Sequence, residues 1–526
     1  MAPDRFHEQL RFIAEAMGTT LVGGPPGEIP FYAYESGYLL IRAEEAGVVV
    51  DELNATGGRR GEPVRLPEVR PASGLLRVPV ASPDTATTPD GGVVGALRDL
   101  ERLHGRAGRQ LASRNHLVTI TPGGVNSCPA DEPEATWEDF HPAVRAAPAA
   151  AGEDRPPVTV LVIDTGVVKD LHTMHPWMRG VVPPAPADEM DPRAAEHRTL
   201  PPVPGGPFVP GAGPLSPGGP LFPGVPGTGG SGLRPPPTHD PAGFVREYVG
   251  HGTFIAGLVQ AVAPHTRVTV SNKMTPAGCV LEEEFAKRLL AALEPGWPDI
   301  ISLSAGAANG LFTPLMGLEW FLDALKDHPG TLLVAAAGNN GSDAPFWPAA
   351  AARYPAENDG VVSVGALRVD GREGACFTDH GEWVRVYAPG ERLVGAFLGA
   401  DGPQPYRYQH STFERCRYLA SYDAPFLYDC TCGFPARVGA LSESPQVADQ
   451  AAFTGRAKWS GTSFSTPIVA AMIADHMVTT GERDPRAAAK DLMRLQAYGA
   501  TVRGVPVRAL RPSGWNPVPV TPLPHV

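Results

Sequence analysis

The sequence predicts an α/β protein, a mostly parallel sheet flanked by helices, preceded by a small α+β unit of βαββαβ order. Three observations carry that expectation. From residue 158 onward, short continuous runs of Val, Ile and Leu alternate with segments of helical spacing, and unbroken apolar runs mark strands buried on both faces. Residues 37–121 hold a separate strand and helix pattern. With 43% hydrophobic and 19% charged residues over 526 positions, the chain is globular and long enough for more than one core.

Residues 1–36 read as an N-terminal extension. Its start, MAPDRFHEQLRFIAEAMG, carries Asp4, Glu8 and Glu15 and lacks the apolar core and small-residue cleavage site of a secretory signal. No stretch is long and apolar enough to span a bilayer, so a cytoplasmic, monomeric protein with no membrane partner is expected. The 37–121 unit then takes strands at 38–43, 63–66, 74–80 and 116–121 and helices at 44–55 and 93–105. The Pro/Ala/Glu-rich stretch 122–157 has little to bury and reads as a linker.

The main unit is expected over 158–500. Its apolar runs are 158–164, 266–274, 299–306, 331–339, 361–367 and 383–390, with helical spacing at 281–293 and 314–328. Two insertions interrupt it. Residues 171–245 include the Pro/Gly-rich run 201–230, which cannot form a packed core, while 398–458 is richer in Tyr, Phe and Cys and reads as an ordered excursion. Residues 501–526 read as an extended, Pro-rich tail.

A net charge of -12 offers no basic face for phosphates, so nucleic acid is not an expected partner. Six cysteines in so long a chain make no disulfide scaffold; reduced thiols are expected, with a metal or disulfide staple around Cys416, Cys430 and Cys432 as the alternative.

Four short segments carry chemistry. The apolar run VTVLVID ends in Asp164, and in open α/β sheets functional groups collect beyond the carboxyl ends of strands. Taken alone, such an Asp is more often a cap or turn residue. In GHGTFIAG, His251 lies between two glycines at a helix start, where the ring is open to a cleft. In SGTSFSTP, Ser463 opens an apolar helix with Pro467 near its first turn, so its own amide can serve as an oxyanion donor. In LLVAAAGNNG a buried strand breaks before Asn339, whose side-chain amide is a further donor.

Together, IDTGV at Asp164, GHGTFIAG at His251, AAGN at Asn339 and SGTSFSTP at Ser463 resemble the four blocks of the subtilase family of serine proteases, peptidase family S8. The resemblance covers about 158–480. It implies a subtilisin-like fold and hydrolysis of peptide bonds through Asp164, His251 and Ser463, with Asn339 in the oxyanion hole. It also implies that Ser304, Ala305 and Gly306 line the substrate cleft as an edge strand pairing with the peptide. Phe254 stands where the family often has a second His, and Ser465-Thr466 replaces the usual Ala-Thr; neither removes a catalytic group.

No metal or other cofactor is required for this chemistry. Relatives often bind structural calcium, but no loop here has EF-hand acidic spacing and no ligand is assigned. The resemblance casts the 37–121 unit as an intramolecular inhibitor of propeptide type, with self-cleavage in 122–157; a binding domain of the same common topology is the alternative. For the whole chain, the alternative to a protease acting on protein or peptide substrates is a catalytically silent scaffold of the same fold.

Overall fold

The computed structural model describes residues 14, 19–22, 32–56, 73–80, 91–104, 111–120, 132–146, 156–182, 189–190, 238–240, 243–354, 359–400, 402–407 and 450–519. Continuous apolar runs do form central strands. The nine-stranded sheet runs Tyr498–Val502, Val505–Ala509, Val386–Pro389, Val361–Leu367, Leu332–Ala336, Ile300–Leu303, Thr159–Asp164, Arg267–Asn272, Val181–Val182. Neighbours pair in parallel throughout except in the hairpin Tyr498–Val502/Val505–Ala509. Helices flank it, among them His251–Val262 and Thr462–Thr480, which pack on each other and on the central strands. One continuous apolar cluster from Val118 to Trp515 fills the interior.

Ahead of this core, Tyr34–Arg42, Ala46–Thr56, Leu75–Pro79, Val93–His104 and Ala112–Thr119 form a second, smaller layer with its own apolar cluster. The expected strand at 63–66 lies outside the described residues. Its sheet takes in two segments from elsewhere: Leu21–Val22 of the N-terminal extension pairs with Tyr34–Arg42, and Cys279–Leu281 of the main unit pairs antiparallel with Ala112–Thr119. The two layers therefore share a sheet, sealed by Leu21, Ala33 and Leu117 against Ala277, Cys279 and Leu281.

Several boundaries differ from expectation. Residues 171–182 are core rather than insertion: Met178 and Val181 are fully buried and Val181–Val182 pairs with Arg267–Asn272. The Pro/Gly-rich run 201–230 lies outside the described residues. The 398–458 excursion has a two-stranded base, Gln404–Arg407 with Gln450–Phe453, while Arg456–Trp459 already belongs to the main unit through Leu393–Ala396.

Two segments expected to be extended are built into the fold. Residues 132–146 form a strap, with Glu134–Ala135 pairing with Arg456–Trp459, and His141 exchanging both backbone bonds with Val394. Arg145 ion-pairs with Asp475 and donates to the Val262 carbonyl. The tail makes the terminal hairpin, turning at Arg503 (φ 51°) and Gly504 (φ 76°), a two-residue turn suited to the twist of paired strands. Counting prolines concealed both, because the prolines fall at turns and edges where no ladder donor is needed.

Leu333, fully buried in a central strand, gives a test of this core. Leu333→Ala is expected to cost about 2–5 kcal/mol, read as a lowered urea midpoint at unchanged slope.

Candidate active site

Thr159–Asp164 and Ile300–Leu303 end at the same rim of the sheet. Asp164, the last residue of its strand, is fully buried there, a position a carboxylate holds only when donors meet it. They do. The Thr165 amide donates to Asp164 Oδ1 at 2.7 Å and the Thr165 hydroxyl at 3.1 Å, while His251 Nδ1 lies 2.9 Å from each carboxylate oxygen. His251 is the first residue of its helix. Gly252 lets that helix approach closely, because a Cβ there would lie 2.2 Å from the Gly166 carbonyl oxygen. The imidazole is then walled by aromatic rings, Trp459 at 5.0 Å, Phe464 at 5.2 Å and Tyr248 at 5.9 Å between centroids. Phe254 packs behind them, 4.6 Å from Phe464.

Ser463 lies in the first turn of Thr462–Thr480, where helix N–H groups have no intrahelical partner. Asn339 faces it from the loop after Leu332–Ala336. Its Oδ1 accepts from the Thr462 amide and hydroxyl, both at 2.8 Å, which turns the other side of the carboxamide, the Nδ2 donor, away from Thr462. Ser304 buttresses the helix start: its hydroxyl donates to the Ser463 carbonyl at 2.9 Å. Ala305 is buried in the core.

The cleft is not empty. Gly306 exchanges both backbone hydrogen bonds with Thr119, at 2.8 and 2.9 Å, and the Ile120 amide donates to the Gly278 carbonyl at 2.8 Å. With Cys279–Leu281 on one side and Gly306 on the other, residues 117–120 of the smaller layer form the middle strand of a three-stranded array. Val118 and Ile120 belong to the apolar cluster of the main unit, whereas Leu117 faces the interlayer cluster. Ser463 Oγ donates to the Ile120 carbonyl at 3.4 Å, a long bond. Among the described residues no hydrogen bond joins that hydroxyl to His251; its acceptor is the inserted strand.

Beyond Asp164, His251, Ser463, Asn339, Ser304 and Gly306, the structure adds groups that no motif revealed. Thr165 braces the carboxylate, and Gly278–Leu281 forms the second wall. Glu282 begins the next helix and fixes the inserted strand: its Oε2 lies 2.7 Å from His116 Nδ1, and its Oε1 accepts from the Gly317 amide at 2.7 Å. Asn115 accepts from the Glu283 amide, and Arg42 pairs with Glu319. A signal for Glu282 existed in the run of three acidic residues at a helix start. Its partner could not be read from spacing.

Burial pushes the pKa of the Cys279 thiol up, leaving it a protonated apolar residue of the cleft wall. Among the described residues, no group of three His, Cys, Asp or Glu side chains is placed to hold a metal ion, and no helix is long and apolar enough to cross a membrane.

A carboxylate holding an imidazole, with a helix-borne hydroxyl at the same rim of a mostly parallel sheet, is the arrangement these residues form. Residues 156–497 match the Peptidase_S8 subtilase family, and the chain belongs to it. It is 30% identical over 186 residues to a thermophilic serine proteinase of Bacillus sp. (strain AK1), covering 33% of this chain and 41% of that protein. With a thermostable alkaline protease of Halalkalibacterium halodurans it shares 28% over 159 residues, 28% of this chain and 40% of the relative. The chain thus spans about two fifths of the length of these curated relatives. Among solved structures, fervidolysin from Fervidobacterium pennivorans, a keratinolytic enzyme related to subtilisin, aligns with TM-score 0.45 and 15% identity over 91% of this chain and 60% of its own.

Because Glu282 joins both layers, Glu282→Gln should loosen the inserted strand by about 1–3 kcal/mol. The check is amide hydrogen exchange across 112–120 in the full chain, expected to accelerate about tenfold or more while Ile300–Leu303 stays protected.

Proposed function

We propose that the chain is a serine-type endopeptidase held by its own N-terminal layer in a self-inhibited form. The observation supporting this most directly is the peptide strand of residues 117–120, paired on both edges and running past Ser463 beside the bonded Asp164–His251 pair. That is how a substrate would lie. Backbone pairing along Gly306 and Gly278–Leu281 would hold any extended peptide, with protein or peptide substrates as the class addressed.

In the reaction, Asp164 holds His251 in the tautomer whose Nε2 accepts the Ser463 proton as Oγ adds to the peptide carbonyl carbon. The resulting oxyanion takes hydrogen bonds from Asn339 Nδ2 and the Ser463 amide. Collapse breaks the C–N bond, the imidazolium returns its proton to the leaving amine, and water then hydrolyses the acyl ester by the same relay. Aromatic walls around His251 keep this transfer out of bulk water.

The inhibited reading rests on occupancy. While Ile120 engages the nucleophile, an external peptide has no edge to pair with. Self-cleavage is expected at a bond between Ile120 and Glu132 rather than anywhere in 122–157, because residues 134–141 are strapped to the main unit through Glu134–Ala135 and His141.

Activation of purified wild type is expected to yield a new N-terminus between Thr121 and Glu132, read by mass spectrometry, while Ser463→Ala stays intact. Identical intact chains under all activating conditions would remove self-processing from the reading. After activation, a fluorophosphonate probe should label wild type at Ser463 and fail on Ser463→Ala and His251→Ala; a folded wild type that takes no label once residues 1–120 are removed leaves the silent scaffold. Asn339→Ala should lower kcat about 100- to 1,000-fold with the label retained at a slower rate.

A further inference from the structure

The loop that presents Asn339 is itself built around a buried carboxylate outside the triad. After Leu332–Ala336 the backbone turns at Gly338 (φ 108°), and the run Gly338–Ser342 wraps the side chain of Asp379, which is 1% exposed. Asp379 Oδ1 accepts from the Asn340 amide at 2.8 Å and the Ser342 amide at 2.9 Å, and Oδ2 accepts from Asn340 Nδ2 at 3.1 Å. Backbone bonds close the ring: Asp379 donates to the Gly338 carbonyl at 2.9 Å, Gly341 to Phe377 at 2.7 Å and His380 to Ser342 at 2.9 Å. The fit is close, since a Cβ on Gly338 would lie 2.3 Å from Asp379 Oδ2. From outside, Arg503 at the tip of the terminal hairpin donates to the Cys376 carbonyl at 3.2 Å and reaches the Gly341 carbonyl at 3.5 Å.

A carboxylate this deep is costly unless its oxygens are met by donors, and here two backbone amides and one side-chain amide of the same loop meet them. That loop cannot relax without orphaning buried N–H groups, each worth about 1–3 kcal/mol. Asn339 is thus held twice. Thr462 fixes its side-chain oxygen, and the Asp379 ring fixes the backbone from which the side chain springs. An oxyanion donor acts only when aimed in advance to within a few tenths of an ångström, and a misplacement of about 1 Å can cost on the order of 100-fold.

We propose that Asp379 is a positioning residue for the oxyanion donor Asn339, acting on the transition state without touching the substrate. This rests on the endopeptidase reading above. Peptide pairing uses Gly306 and Gly278–Leu281, none of which Asp379 contacts through the bonds above, so ground-state binding should be spared.

The test is a double-mutant cycle on the activated enzyme produced from the full chain, using an internally quenched peptide that wild type cleaves. Asp379→Asn keeps the shape but removes the charge and one acceptor; kcat should fall about tenfold with KM within twofold. In the Asn339→Ala background the same change should lower kcat less than twofold, since the donor it positions is gone. A general loss of structure would instead add its full effect in both backgrounds. Should Asp379→Asn prove unfolded by circular dichroism, Arg503→Met approaches the same loop from its outer side, with the same non-additivity required. A folded Asp379→Asn with wild-type kcat, or an undiminished effect beside Asn339→Ala, overturns the role of Asp379. A folded wild type freed of residues 1–120 that neither labels with fluorophosphonate nor cuts any peptide overturns the endopeptidase reading instead.

Discussion

A parallel sheet presents its strand ends at one rim, and the structure turns on the bond made there between Asp164 and His251. The carboxylate is tolerable in so dry a place only because Thr165 and His251 meet it; the imidazole is fixed only because the carboxylate accepts from Nδ1. Neither group would keep its orientation alone. Helix His251–Val262, pressed on the Thr165–Gly166 turn, and helix Thr462–Thr480, packed against it, then bring imidazole and serine to the same rim. Sequence separation is immaterial, because the strand ends are already side by side.

The second organising fact is that two layers complete each other's sheets. Cys279–Leu281 is an edge of the smaller sheet and at the same time one wall of the cleft, so the strand that finishes one structure fills the other. An exposed edge is a hazard in any protein, because it can pair with stray chains. Covering it with the chain's own strand removes that edge. The polar bonds of Glu282 and Asn115 fix the register of that strand, while the apolar contacts of Val118 and Ile120 supply its burial.

Much of this was legible in the residues. Unbroken Val/Ile/Leu runs located the central strands, and four short blocks placed Asp164, His251, Asn339 and Ser463 at strand ends and helix starts. Local pattern failed where partners are distant. Nothing near Glu282 names His116, and nothing near Gly338 names Asp379, since those contacts exist only after the chain has closed on itself. Proline content misled at 132–146, where pairing with a far segment outweighs local preference, and at 501–509, where a tight hairpin forms. The Ser463 hydroxyl lies on the Ile120 carbonyl, a distant partner that no motif encodes.

The strap carries a mechanical consequence. His141 stacks on the buried Trp515 ring, its Nε2 lies 3.0 Å from the Asn516 carbonyl oxygen, and Ala143 donates to Gly514. The first and last described stretches of the main unit are thereby sewn to one another as well as to the body between them. Lifting either stretch from the body would cost the contacts it makes with the other.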